Sequence, residues 1–272
     1  MKTSYKIATV WGIPIKVHIS LLIIMIILMF PGEGFAPSIK GPAQLLWGFL
    51  AGVGIFTSIA LHELGHSLIA IKKGCRVRQI TLMCLGGMAQ MEKIPTKPMD
   101  EFLMAIAGPA VSLAISGISF GLLHLLAMIN TPDFLLALFL YLAVVNIVLL
   151  IFNLIPAFPM DGGRVFRAAL TPRYGRLKAT FIAARLGQIL AIAGGIYAFR
   201  NGELILIAIA FFIYMAAKNE YRAVQMQEAM KRQSFGFTPW EPIIEEPSET
   251  EDDDDQVIIS PPPYNNDAGT EK

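Results

Sequence analysis

Long apolar runs, broken by short polar or Gly/Pro-rich stretches, occupy most of the first 217 positions of the chain. A helix needs about 20 apolar residues to cross a bilayer, so runs of this length predict membrane spans. We expect six such spans, at about 17–30, 42–72, 100–128, 134–152, 179–199 and 203–217. The pattern therefore predicts an all-α polytopic membrane protein.

Two segments between these runs do not follow a helical pattern. Residues 74–92 place apolar side chains at Val77, Ile80, Leu82 and Leu85 and continue with Gly86-Gly87, which predicts a short membrane-associated β-hairpin or a re-entrant loop between helices 2 and 3. Residues 153–163 hold two prolines, two glycines, an amide and a carboxylate beside a predicted span. Non-helical backbone at membrane depth persists only where it is buried in protein or lines a wet cavity. Asp161 is expected to cap a short helix that ends near Ala169.

The composition supports the membrane assignment. Hydrophobic residues make up 54% of the 272 positions, charged residues 16%, and the mean hydropathy is +0.56. Soluble domains contain about 45–50% apolar and about 25% charged residues. These values exclude a soluble enzyme with a single anchor.

The charges also predict an orientation and three regions. Lysine and arginine cluster in alternate polar stretches, so both termini are expected in the cytosol, in a multi-pass cell-membrane protein. Because these cations sit at the ends of apolar runs, we expect no nucleic-acid binding. We predict a six-span core at 1–217, a cytosolic helical extension at 218–235, and a disordered tail at 236–272. The tail is acidic and rich in proline.

One motif within the second apolar run carries candidate chemistry. His66 lies four positions after His62, so the two lie on the same helical face and can bind one zinc ion together. In zinc hydrolases the glutamate of such a motif acts as general base, which makes Glu63 the candidate here. Ionisable groups inside a membrane span are costly and usually functional.

A zinc hydrolase keeps three protein ligands, so a third ligand is required. Asp161 is the carboxylate that lies in a helix-breaking segment on the same side as the histidine pair, and we predict it to be that ligand for one zinc per chain. The amide of Asn153, at the start of the same break, is a candidate contact for the substrate or its oxyanion.

Together these segments resemble the site-2 protease family of intramembrane zinc metalloproteases. The similarity is carried by five segments, namely 11–18, 62–66, Gly86-Gly87, Gly108-Pro109 and 153–164. It implies His62, His66 and Asp161 as zinc ligands, Glu63 as the catalytic glutamate and Asn153 near the scissile bond. It also implies that the strand around Gly86 and Gly87 holds an unwound substrate.

The resemblance further implies a function and partners. The family cleaves peptide bonds within or near transmembrane segments of other membrane proteins, often to release a membrane-bound regulator, so the expected partners are such a substrate and the lipid bilayer. The loops are too short for a PDZ insertion, and the segment after Arg232 is too short and too acidic for CBS domains. We therefore expect the six-span archaeal and bacterial branch that lacks both.

Two other classes of function remain open at this point. A membrane metal transporter also places histidines and acids at membrane depth, although the outer half of this chain offers almost no ligands. A catalytically silent scaffold that binds membrane helices would need neither Glu63 nor Asp161. Replacing Glu63 by Gln separates the three, because only a protease would lose its function while keeping zinc.

Overall fold

The computed structural model describes residues 4–29, 42–83, 86–91, 95, 97–129 and 131–236. Their helices are α1 Ser20–Met29, α2 Pro42–Lys72, α3 Pro98–Ala127, α4 Asp133–Leu154, α5 Asp161–Tyr174, α6 Arg176–Arg200 and α7 Leu204–Gly236. Their strands are β1 Ser4–Val10, β2 Ile13–His18, β3 Val77–Met83 and β4 Gly86–Met91. Apart from Gly236, the predicted acidic tail lies outside the described residues.

Five helices of the described chain are long and apolar enough to cross a membrane: α2, α3, α4, α6 and α7. The predicted count of six spans is not confirmed. The ten residues of α1 extend only about 15 Å, half of a hydrocarbon core of roughly 30 Å. The chain before α1 forms strands where the sequence analysis placed a basic lead and the start of a span.

Several predicted helix boundaries shift by a few residues. Helix α3 begins at Pro98, because proline suits the first turn, where its missing N–H is not needed. Asp100 lies in that first turn, 2.6 Å from the Lys73 amine at the end of α2. Asp161 is the first residue of α5 rather than its cap, and α5 continues beyond Ala169 to Tyr174. The predicted extension at 218–235 continues the last membrane helix without a break.

The four strands form one sheet in the order β1-β2-β3-β4. The β3–β4 pair is the antiparallel hairpin expected between the second and third membrane helices, although a re-entrant position in the bilayer remains a prediction. Strand β2 joins it in parallel, with Ile15 opposite Ile80. Buried side chains of the sheet pack on α2 at Phe56 and Leu64, which places the hairpin along the part of α2 that carries the histidines.

The helix break before α5 is fixed on α6. The Phe158 N–H donates to the Ala183 carbonyl over 3.3 Å. The neighbouring Gly187 leaves no room for a side chain, because a Cβ there would overlap the Phe158 carbonyl oxygen. This close approach sets the position where α5 begins, and therefore the position of Asp161.

Candidate metal centre

Three side chains from two distant segments meet at one point. The Nε2 atoms of His62 and His66 lie 3.1 Å apart, and each is 3.1 Å from Oδ2 of Asp161. Helix α2 supplies the two imidazoles from consecutive turns, and the first residue of α5 supplies the carboxylate. The two histidines are only 4% and 3% exposed, so water reaches this cluster with difficulty.

This triangle fits a tetrahedral metal ion. Zinc with bonds of about 2.0–2.1 Å to nitrogen and oxygen separates its ligand atoms by about 3.3–3.4 Å, close to the observed spacing. Two imidazoles and one carboxylate are also a donor set that catalytic zinc uses, with one position left open. The three groups could therefore hold a metal ion.

The outer nitrogens of both histidines are fixed by helix α3. The His66 Nδ1–H donates to the Met104 carbonyl over 2.7 Å, and His62 Nδ1 lies 2.8 Å from the Ser112 hydroxyl. With Nδ1 carrying the proton, each Nε2 keeps its lone pair free for a metal. Such partners orient the ring and select the tautomer that can act as a ligand.

Glycine is required where α3 passes behind the imidazoles. A Cβ on Gly108 would overlap the Nε2 atoms of both His66 and His62. Glycine thus allows the α3 backbone to lie directly against the ligand atoms. The Gly108-Pro109 pair quoted for the resemblance has this steric role in the described structure, and Pro109 lies inside α3.

Glu63 lies between the two histidines and faces the β-hairpin. A Cβ on Gly87 would stand 2.6 Å from Glu63 Cγ, so strand β4 passes directly against this side chain. Gly86, the first residue of β4, is paired with Met83. The strand expected to hold a substrate and the candidate general base are therefore neighbours.

Asp161 is held as an anion by its partners. Burial by itself raises the pKa of this carboxyl, but in the metal-free protein protonated Nε2 atoms of His62 and His66 donate to it and keep the pKa below its ordinary value. A metal ion would replace those protons and stabilise the same carboxylate. Asp161 lies outside the membrane-spanning helices, since α5, which it begins, is not one of the five candidate spans. An ionised carboxylate is the form that binds a metal.

The Asn153 amide makes a local contact. Its Nδ2 donates to the Leu149 carbonyl of the preceding turn over 3.0 Å, near the end of α4. This is the backbone contact expected of an amide that ends a helix. A role for Asn153 at the substrate stays a prediction.

The sequence analysis missed the contacts that support the site. Ser112, Met104 and Gly108 come from α3, whose Gly108, Ser112 and Ser116 recur every fourth residue and line one buried face. That spacing of small residues was the available signal. The sequence analysis also did not single out Arg167, which is fully buried and donates to Glu101 and Glu220. A fully buried guanidinium needs such charged partners. Glu101 and Glu220 are 66 and 53 positions from Arg167 along the chain.

Comparison with known proteins decides the family. The model of peptidase family M50 matches residues 49–132 and 124–194, which include both histidines and Asp161. The chain belongs to peptidase family M50. The predicted resemblance to the site-2 proteases is thereby confirmed, and this M50 chain is a multi-pass membrane protein.

Individual relatives cover most of this M50 chain. A zinc metalloprotease of Methanocaldococcus jannaschii is 37% identical over 231 residues, covering 85% of this chain and 64% of the relative. Rip3 of Mycobacterium tuberculosis is 35% identical over 241 residues, 84% of this chain and 61% of Rip3. The chain thus spans slightly less than two thirds of these curated relatives.

A solved structure shows the same fold. The site-2 protease from Methanocaldococcus jannaschii superimposes with a TM-score of 0.55 at 34% identity. The match covers 80% of this M50 chain and 95% of the solved chain. The helices and hairpin that surround the metal centre therefore belong to a known architecture.

Proposed function

We propose that this protein is a zinc-dependent intramembrane endopeptidase that cleaves membrane proteins within or near their transmembrane segments. The observation that carries the proposal is the triangle of His62, His66 and Asp161 with Glu63 in the same helical turn. The names of the relatives, which include a zinc metalloprotease and a site-2 protease, support zinc as the cofactor and peptide hydrolysis as the reaction.

In this proposal each residue has a stated task. His62, His66 and Asp161 hold one zinc ion, which when bound activates water and polarises a peptide carbonyl. A carboxylate oxygen of Glu63 accepts a proton from the attacking water and later delivers it to the leaving amine. The low exposure of the two imidazoles limits competing water and strengthens the electrostatic interactions of the site.

The substrate is proposed to bind along β4. A helix hides its peptide carbonyls in hydrogen bonds, so a membrane segment must become extended before it can be cut. Strand β4 is an edge of the described sheet and lies against Glu63 at Gly87. An extended substrate added to this edge would bring a peptide bond close to the candidate general base. Asn153 is assigned to the substrate or its oxyanion on the resemblance alone.

The Glu63→Gln variant tests the function. We expect peptide cleavage to fall by at least a hundredfold, because general acid–base catalysis contributes about 10²–10⁴ in rate. Zinc content of the purified protein should stay at one per chain, since no ligand is removed. The assay is cleavage of a reporter membrane protein in reconstituted vesicles, beside elemental analysis of the same samples.

Glu203→Gln is the matched control, because Glu203 is exposed in the turn between α6 and α7. It should cleave like the parent protein. Full cleavage by Glu63→Gln would exclude Glu63 as the general base, and a parent protein that does not cleave the reporter would favour the silent scaffold. Zinc uptake into vesicles that survives in Glu63→Gln would favour the transporter instead.

A further inference from the structure

Two neighbouring cavities between α6 and α7, one apolar and one basic, form a seam away from the metal centre. Its apolar half is a groove of about 420 Å³ lined by small, aliphatic and aromatic residues, among them Ala191, Gly195 and Phe211. Its basic half is a pocket of about 270 Å³ that contains Arg185, Lys218 and Arg222. Tyr214 lines both, so the two cavities are neighbours.

The three cations have no anionic partner among the residues that the structure describes. Arg185 lies over the Phe181 ring and contacts the Gln188 amide oxygen, a neutral group. Within the part of the chain that the structure describes, neither Arg185 nor Lys218 nor Arg222 is in an ion pair. No carboxylate is among the side chains that line the pocket. The pocket therefore concentrates positive charge that an anion could neutralise.

The backbone of the basic pocket lies roughly 8 Å inside the far edge of a hydrocarbon core of about 30 Å, within a side-chain length of the headgroup layer. Helices α6 and α7 form an antiparallel hairpin whose turn is at Arg200–Glu203. Arg185 and Lys218 are each 15 residues from an end of this turn, which corresponds to about 22 Å along each helix. The intervening residues of both helices are uncharged. The cations are thus at one depth, where long side chains reach the headgroup layer.

We propose that the seam binds one anionic phospholipid. Its phosphate would contact Arg185, Lys218 and Arg222, and one acyl chain would lie in the groove beside Gly195. A soluble phosphate would use only the basic half. Tyr214, which lines both cavities, and the apolar lining beyond it favour the lipid. Basic pockets between membrane helices bind lipid headgroups by the same charge complementarity.

The test compares lipids on the full-length protein, purified and delipidated in non-ionic detergent. Native mass spectrometry of protein mixed with equal amounts of phosphatidylglycerol and phosphatidylcholine gives the binding preference. Each cation near an anionic surface contributes about fivefold to binding. We therefore expect each of Arg185→Gln, Lys218→Gln and Arg222→Gln to lower the phosphatidylglycerol preference about fivefold, and the triple variant to lower it on the order of 100-fold.

The triple variant Lys72→Gln/Arg76→Gln/Arg173→Gln is the matched control. It removes the same charge from exposed cations outside the seam, and it should keep the preference of the parent protein. Equal binding of the two lipids by the parent, or an equal loss in both triple variants, would overturn the proposal. The single variants provide the same test if the triple variant does not fold.

A second comparison distinguishes a lipid from a soluble phosphate. The Gly195→Leu variant fills the groove and leaves the three cations unchanged. Position 195 has room for a side chain, because a Cβ there meets only Ala210 Cβ, at 3.5 Å. We expect this variant to weaken phosphatidylglycerol binding at least tenfold and to leave glycerol 3-phosphate binding unchanged. If glycerol 3-phosphate binds the parent as tightly as phosphatidylglycerol, the lipid assignment is wrong.

Discussion

At the scale of single residues, Ser112 tests whether α3 tunes the metal ligands. Its hydroxyl is fully buried and 2.8 Å from His62 Nδ1. Loss of such a partner typically lowers metal affinity by 10–100-fold, so we expect that loss for Ser112→Ala. Competition with a zinc-binding dye measures the affinity. Ser119→Ala removes a hydroxyl of similar burial from the same helix and should not change it. Equal affinities in both variants would refute the role.

Gly108 provides a steric test of the same site. In Gly108→Ala the new Cβ would displace both imidazoles, so we expect loss of stoichiometric zinc and of cleavage. Gly117→Ala on the same helix has open space around its Cβ. It should keep zinc and gain about 0.5–1 kcal/mol of stability, because alanine favours a helix interior over glycine. Elemental analysis and thermal unfolding report the two properties. A Gly108→Ala protein with one zinc per chain would contradict this steric account.

These residues show which parts of the site the sequence could predict. The positions of His62 and His66 follow from helical spacing, and Asp161 follows from the scarcity of carboxylates in breaks on the same side. The first argument uses only neighbouring positions in one helix, and the second works by eliminating the other carboxylates. Ser112 and Gly108 act across the α2–α3 interface, from 50 and about 46 positions away. Their role depends on how two helices pack, which a hydrophobic pattern does not specify.

At the scale of elements, a buried ion cluster joins three helices. Arg167 on α5 donates from Nε to Glu101 of α3 over 2.7 Å and from a terminal nitrogen to Glu220 of α7 over 2.9 Å. Glu101 is one turn before Met104, which holds His66, and Arg167 is less than two turns from Asp161. The cluster therefore fixes α5, which carries the candidate ligand Asp161, against α3, which orients the two imidazoles.

Removal of Arg167 should be strongly destabilising. It leaves the buried Glu101 carboxylate without a counter-charge, and breaking such a pair costs about 3–5 kcal/mol. We expect that loss in Arg167→Met, measured as the free energy of unfolding in detergent. Arg173→Met, in the last turn of the same helix and exposed, should change it by less than about 0.5 kcal/mol. Similar values for the two variants would show that the cluster is not structural.

A double variant separates the charge from the packing. Arg167→Met/Glu101→Met removes both buried charges and should recover most of the lost stability, because the penalty comes from the unpaired partner. Glu220 is 26% exposed on its side chain and can be hydrated in the double variant. If the double variant is no more stable than Arg167→Met, the loss comes from the removed contacts of the Arg167 side chain, such as its cation–π contact with Phe158.

The elements also show where hydrophobic patterns fail. Helices α2 to α7 are long apolar or amphipathic runs, and their positions were predicted within a few residues. Strands β1 and β2 were not predicted, because Ile15 pairs with Ile80, 65 positions away. Short apolar segments such as 13–18 do not distinguish a strand from the start of a helix. The α5 break was recognised from its prolines and glycines, but its docking on α6 was not.

At the scale of the whole molecule, the charge distribution predicts which side of the membrane each segment faces. Lysine and arginine cluster after α2, in α5 and in the second half of α7, so we expect these segments on the cytosolic side. His62 is about 30 Å along α2 from Pro42, so the metal centre would lie near the cytosolic end of its helix. The turn between α6 and α7, at Asn201, would then face outward.

Cysteine labelling in intact cells checks this orientation. Cys75 is a free thiol just after α2. In a Cys84→Ser variant, where Cys75 is the remaining cysteine, it should resist a membrane-impermeant maleimide until the cells are lysed. Asn201→Cys in a Cys75→Ser/Cys84→Ser background should be labelled without lysis, because Asn201 is exposed in the opposite turn. The reverse pattern would put the metal centre near the outer surface. A substrate cut there would release its fragment outward, so the labelling also decides which compartment receives the product.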